Sequence, residues 1–252
     1  MNLGGTLLSV AVVFFAVLGA FYIHTRPALS ALGVGRIIVP VGNGNCKVVP
    51  QLQACESRFV SPQTNQYKPC IAELVLHQPT GLVYLACSKP HSRTQWMPTL
   101  DRLNASGRSE LDYVATYDPQ TGAINQLTFS GPLSLGGISL HGMDVVPSFD
   151  DPPVLYVYLV NHRKPDSVDA RKVGADSVIE VFRTHIGSTV LEHVRTFQDP
   201  GVVVTPNDVV GSPDGKSVHF TNDHRHKTGF VRFLAPCASK SDTFLREGLS
   251  VC

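Results

Sequence analysis

A length of 252 residues suits one domain with a tail, and 43% hydrophobic residues can supply a proper core. The 21 basic and 20 acidic residues leave a net charge of +1, and no basic cluster interleaves with aromatics, which argues against a nucleic-acid partner.

The first element along the chain is apolar. Leu3 to Ile23 carries no charge, and Val10 to Phe15 is strongly hydrophobic. Such a run is about long enough to cross a bilayer as a helix. No Lys or Arg precedes it, and Leu18 stands two residues before Ala20, so it lacks the basic start and small-x-small exit of a cleaved signal peptide. We therefore expect a retained leader or signal-anchor helix over residues 1–24, with membrane contact through residues 3–23. Arg26 and Arg36 follow the run and favour a cytosolic downstream domain. Six cysteines (Cys46, Cys55, Cys70, Cys87, Cys237, Cys252) and the glycosylation sequon Asn104-Ala105-Ser106 weigh the other way. The balance predicts a lumenal or extracellular body in the secretory pathway. No Cys-x-x-Cys pair occurs, so disulfides of open connectivity are expected rather than zinc.

Residues 25–69 read as an N-terminal extension, and from residue 70 the pattern is all-β. One hairpin type runs from Leu74 through Gln78-Pro79-Thr80-Gly81 to Cys87. It returns from Met143 to His162 and again from Asp208 to His224, the last around Ser212-Pro213-Asp214-Gly215. A second type alternates with it, from Val114 to Phe129 and from Val178 to Phe197. Each type recurs after roughly 65 residues, so one repeat holds about four strands. Four-stranded sheets repeated around an axis are propeller blades, whereas a β-sandwich needs no strict alternation of two hairpin types. Residues 70–229 would supply two to three blades of a β-propeller, where closed propellers have about four to eight. Residues 230–252 show no strand-turn-strand pattern and read as an atypical tail.

Asn207-Asp208 stands at the entry of one strand and Asn222-Asp223-His224 at the end of the next. Oxygen donors at strand ends suit a hard cation such as calcium, and an imidazole nearby suits a general base. The plainer alternative is that these residues cap turns.

Four motifs stand in order between the hairpins: Leu140-His141-Gly142-Met143, Tyr156 to His162, Pro206-Asn207-Asp208-Val209-Val210 and Thr221-Asn222-Asp223-His224. With the hydrophobic leader and the early Asn45-Cys46, they resemble the paraoxonase/arylesterase family over about residues 40–228. The resemblance implies a six-bladed, calcium-dependent propeller hydrolase of aryl esters or lactones, of which this chain holds about three blades and lacks the C-terminal ones. It implies His141 as the dyad histidine nearest the substrate and His162 as the one that orients it. It implies two calcium ions: Asn207 resembles a ligand of the catalytic ion, and Asp208, with the backbone carbonyl of Met143, ligands of the structural ion. Asp223 and His224 would support them. Where the family carries a Glu-Asp pair in its first blade, this chain reads Ile71-Ala72, followed by Glu73. Two other classes stay open: a non-catalytic propeller-like binding protein, and an enzyme of the strictosidine synthase or gluconolactonase group, which shares the Ser212–Gly215 turn. No Gly-x-Ser-x-Gly elbow, phosphate-binding glycine loop or His-Glu-x-x-His helix occurs.

Overall fold

The computed structural model describes residues 3–37, 39, 48–55, 74–132, 137–166, 168–230, 232, 242–246 and 249–251. Met1–Lys47 and Val48–Cys252 form two separate compact units.

The first unit is built on helix α1, Leu3–Ala31. It is long and apolar enough to cross a membrane over Ser9–Ala31. The helix continues past the boundary expected at residue 24, because Pro27 is followed by the good helix formers Ala28 and Leu29. Its end is set by Gly33, whose φ of 77° admits a left-handed cap. Val34 N–H donates to the Leu29 carbonyl and Gly33 N–H to that of Ser30, the paired bonds of a Schellman turn.

The second unit is mostly β. Strands β1 (Leu74–His77) and β2 (Leu82–Cys87) form the first hairpin, and β5 (Tyr113–Tyr117) and β6 (Ile124–Ser130) the next. Strands β7 (Leu140–Pro147), β8 (Val154–Arg163), β9 (Asp176–His185) and β10 (Val190–Phe197) make a second antiparallel meander. The two meanders join through a short parallel pairing of β6 with β10, giving an eight-stranded sheet in the order β1-β2-β5-β6-β10-β9-β8-β7. The sheet curls until β7 packs against β1 and β2, so that it is barrel-like and nearly closed. Between β2 and β5 lie helix α2 (Pro90–Gln95) and the two-residue strands β3 (Trp96–Met97) and β4 (Arg102–Leu103). The short helix α3, Ala170–Val173, precedes β9.

A separate four-stranded sheet follows, ordered β11 (Pro206–Gly211), β12 (Ser217–Asn222), β13 (Asp242–Arg246) and β14 (Leu249–Val251). Its last two strands correct the expectation of a tail without strands. Five residues of β13 pair with β12 and three of β14 pair with β13. Segments this short carry too few residues for a period-2 pattern to be read.

Burial explains why the hairpins read so clearly. Leu155, Val157 and Leu159 on one face of β8 enter a core shared with Tyr84, Val114 and Leu140. Tyr158 and Val160 on its other face enter a second core with Val209, Val218 and Phe220. A strand covered on both faces reads as a continuous apolar run, as Val154 to Val160 does. Behind β2, Leu85 and Cys87 pack on Leu52 and Cys55. Cys55 and Cys87 form a disulfide there. Cys46, Cys70, Cys237 and Cys252, and the Ile71-Ala72-Glu73 segment, lie outside the described residues.

Candidate active site

Two β-bulges build the site. Leu140 pairs with Asn161 and Met143 with Leu159, so His141 and Gly142 together oppose one residue of β8. On β11, Pro206 pairs with Asn222 and Val209 with Phe220, so Asn207 and Asp208 together oppose one residue of β12. An extra residue unpairs the ladder locally and re-aims the side chains there. Leu140 and Met143 consequently both enter the same core although they are three residues apart. The bulges face each other. A Cβ on Gly142 would lie 2.2 Å from the Asn207 carbonyl oxygen and 3.0 Å from the Asp208 Cα, so only glycine lets the two strands approach this closely.

The histidine side of this junction is dry. The rings of His141 and His162 meet edge to face with centroids 5.2 Å apart. They are 2% and 1% exposed. Ser177 Oγ holds His162 Nδ1 at 2.9 Å, and the His162 N–H donates to the Ser139 carbonyl at 2.8 Å. Among the described residues His162 Nε2 has no hydrogen-bond partner. Trp96, almost fully buried in the segment from α2 to β4 (the roof), donates its indole N–H to the His162 carbonyl at 2.9 Å. Arg232 ties the roof down by donating to the carbonyls of Pro98, Thr99 and Lys227. Burial pushes the His162 pKa down to about 3, helped by the positive charges of Arg93, Lys227 and Arg232. Burial likewise pushes His141 well below the ordinary imidazole value, with His162 and Arg93 adding to it. Both rings are neutral at pH 7.

The amide and carboxylate side is wetter. Asn207 is half-buried and Asp208 exposed. Asn207 Nδ2 donates to the Asp223 carboxylate at 2.7 Å, which leaves Oδ1 as the atom this side chain can offer a cation. Asp208 Oδ1 accepts the Val209 N–H at 2.8 Å. Asp144, which carries no motif, joins this side: its carboxylate accepts the N–H groups of Gly211 and Val145. Burial raises the Asp144 pKa, and the Asp208 charge raises it further. Met143 turns its side chain into the core, beside Gly142. His224 goes elsewhere, with Nε2 3.2 Å from the Thr99 carbonyl and its backbone N–H on Thr205 Oγ1. It pins the roof rather than the Asn207–Asp208 pair.

These oxygen donors have the chemistry of a calcium site. Among the described residues their number is short of the roughly six to eight that calcium takes. Among the described residues no three His, Cys, Asp or Glu side chains cluster as a metal site.

Several residues beyond the candidate set matter here. Asn161 Oδ1 accepts the Ser139 N–H, and its amide reaches the Gly137 carbonyl and the fully buried Glu180. Glu180 in turn meets His193 Nε2 at 3.0 Å. Asp112 accepts the Leu140 N–H at 2.9 Å. The sequon residue Asn104 starts a 3-10 turn in the roof, where its amide nitrogen donates to Gln95 and its carbonyl oxygen accepts from Ser106.

No protein-family model matches this chain, and no curated protein matches it as a relative.

Proposed function

We propose that the chain is a paraoxonase-type hydrolase of carboxylic esters, aryl esters or lactones, built on propeller blades of that family's kind. The carrying observation is the junction at Gly142, where one bulge presents His141 beside His162 and the other presents Asn207-Asp208. Three successive antiparallel meanders, packed face on face through two cores, support blades as the architecture.

His141 acts as general base. It takes a proton from water as the water oxygen bonds to the ester carbonyl carbon. Collapse of that adduct breaks the acyl C–O bond, and the proton passes to the departing oxygen. Burial keeps the ring in the neutral form that accepts a proton and also makes it a weaker base than an ordinary imidazole. His162, locked by Ser177 and Trp96, fixes the orientation of its neighbour. Calcium bound by Asn207 Oδ1 and Asp208 would polarise the carbonyl.

Assay with phenyl acetate and a simple lactone tests this. Turnover in calcium, lost with EDTA and restored by calcium, is the expected result. Turnover that survives EDTA overturns the calcium assignment. No turnover in saturating calcium favours a non-catalytic binding protein, a reading that the short donor set among the described residues supports. We further propose that α1 anchors the chain in the secretory pathway with its body lumenal. The apolar helix and the Cys55–Cys87 disulfide support this. Digestion of the body by protease added to sealed microsomes would refute it.

A further inference from the structure

The chain that leads into His141 is held mostly by side chains. Strand β7 ends the sheet, so among the described residues its backbone groups that point away from β8 have no strand to pair with. Four residues before His141 are nevertheless fastened one by one. The Gly137 carbonyl accepts from Asn161, the Ile138 carbonyl from Arg108 Nη1 at 3.3 Å, and the Ser139 carbonyl from the His162 N–H. The Leu140 N–H, adjoining His141, goes to Asp112 Oδ2 at 2.9 Å.

Asp112 is 7% exposed and precedes β5 on the neighbouring meander. Its other oxygen accepts from Ser88 Oγ at 2.6 Å. Ser88 directly follows Cys87, and its N–H donates to the Ala54 carbonyl beside Cys55. A line of bonds therefore runs from the disulfide through Ser88 and Asp112 to Leu140. Burying a carboxylate is costly, and a backbone N–H alone does not need one. The charges of Arg93 and Arg108 offset part of that cost.

We propose that Asp112 is a positioning residue for His141: its carboxylate, gripped by Ser88, pins the Leu140 N–H and so fixes the phase of the bulge that aims the imidazole. The proposal rests on the reading of His141 as the base, but its first readout does not. In the full chain held in detergent, imidazole nitrogen NMR reports the ring environments of His141 and His162, assigned by loss of signal in His141→Asn.

Asp112→Ala should shift or broaden the His141 resonances and lower kcat on phenyl acetate by about 100-fold, the scale of a 1 Å misplacement, with KM changed less than about threefold. Asp112→Asn keeps an acceptor for Leu140 and a partner for Ser88, and should restore both the resonances and most of kcat. Lowered thermal stability with unmoved His141 resonances overturns the proposal and leaves Asp112 a plain structural clamp. If Asp112→Ala does not fold, Ser88→Ala loosens one grip and is read the same way: moved His141 resonances support positioning, unmoved ones refute it. Moved resonances in a protein whose wild type hydrolyses nothing would keep the positioning role and sink the esterase reading.

Discussion

The two sides of the site differ in water more than in distance. His141 and His162 are almost without solvent, while Asn207 is half-buried and Asp208 faces it. Burial decides protonation on the dry side, keeping two imidazoles neutral beside cations. On the wet side the carboxylate of Asp208 stays solvated and able to meet a cation. Two neutral imidazoles and a solvated carboxylate are thus kept apart by solvent access, across one glycine contact.

Acid should break the dry side first. The folded His162 pKa of about 3 lies below its unfolded value of 6.5, so the unfolded state binds the extra proton between those values. Its contribution is present above pH 6.5 and is lost as pH falls towards 3. A shift of that size corresponds to roughly 4–5 kcal/mol. Urea unfolding across this range should show stability falling, more shallowly in His162→Asn; an identical slope in both would remove His162 as the cause.

Gly142→Ala should come next, because it forces the two sides apart. We expect a loss of about 2–3 kcal/mol from overpacking against backbone and turnover reduced by at least about 100-fold. Wild-type melting and turnover in that variant would mean that the two bulges do not face each other as described.

On the wet side, Asn207→Ala should weaken calcium binding, read by calorimetry, while shifting metal-free stability by about 1 kcal/mol or less. Equal calcium affinity in variant and wild type would take Asn207 out of the site.

The smallest effect concerns rate. With the His141 pKa lowered, the acid limb of kcat/KM should fall below pH 6.5, since the neutral ring persists further into acid. A limb at or above 6.5 would assign it to another group.

All five hairpins were legible because turn residues separate strands of two readable kinds: β8 and β9, covered on both faces, write long apolar runs, and β12 alternates buried Val218 and Phe220 with exposed His219. The end of α1 was not, since Gly33 caps it well past the last strongly apolar residue. Nor were β13 and β14, which are too short to carry a period. The resemblance singles out His141, His162, Asn207 and Asp208, but not the junction at which their two bulges meet. A signal for it exists: Leu140 and Met143, like Pro206 and Val209, are buried residues three apart within strands whose period is two. Asp112 left no such trace, because a single Asp before a strand looks like any turn residue until the fold sets it beside Leu140.

The bulge in β7 also works as a frame marker. Beyond it, Met143 and Val145 enter one core. Val146 packs against the other. Deleting one residue between Leu140 and Met143 would invert this assignment for the remainder of the strand, because side chains alternate faces at every step. A one-residue deletion here should therefore lower the melting temperature sharply, because it turns Met143 and Val145 out of their core together.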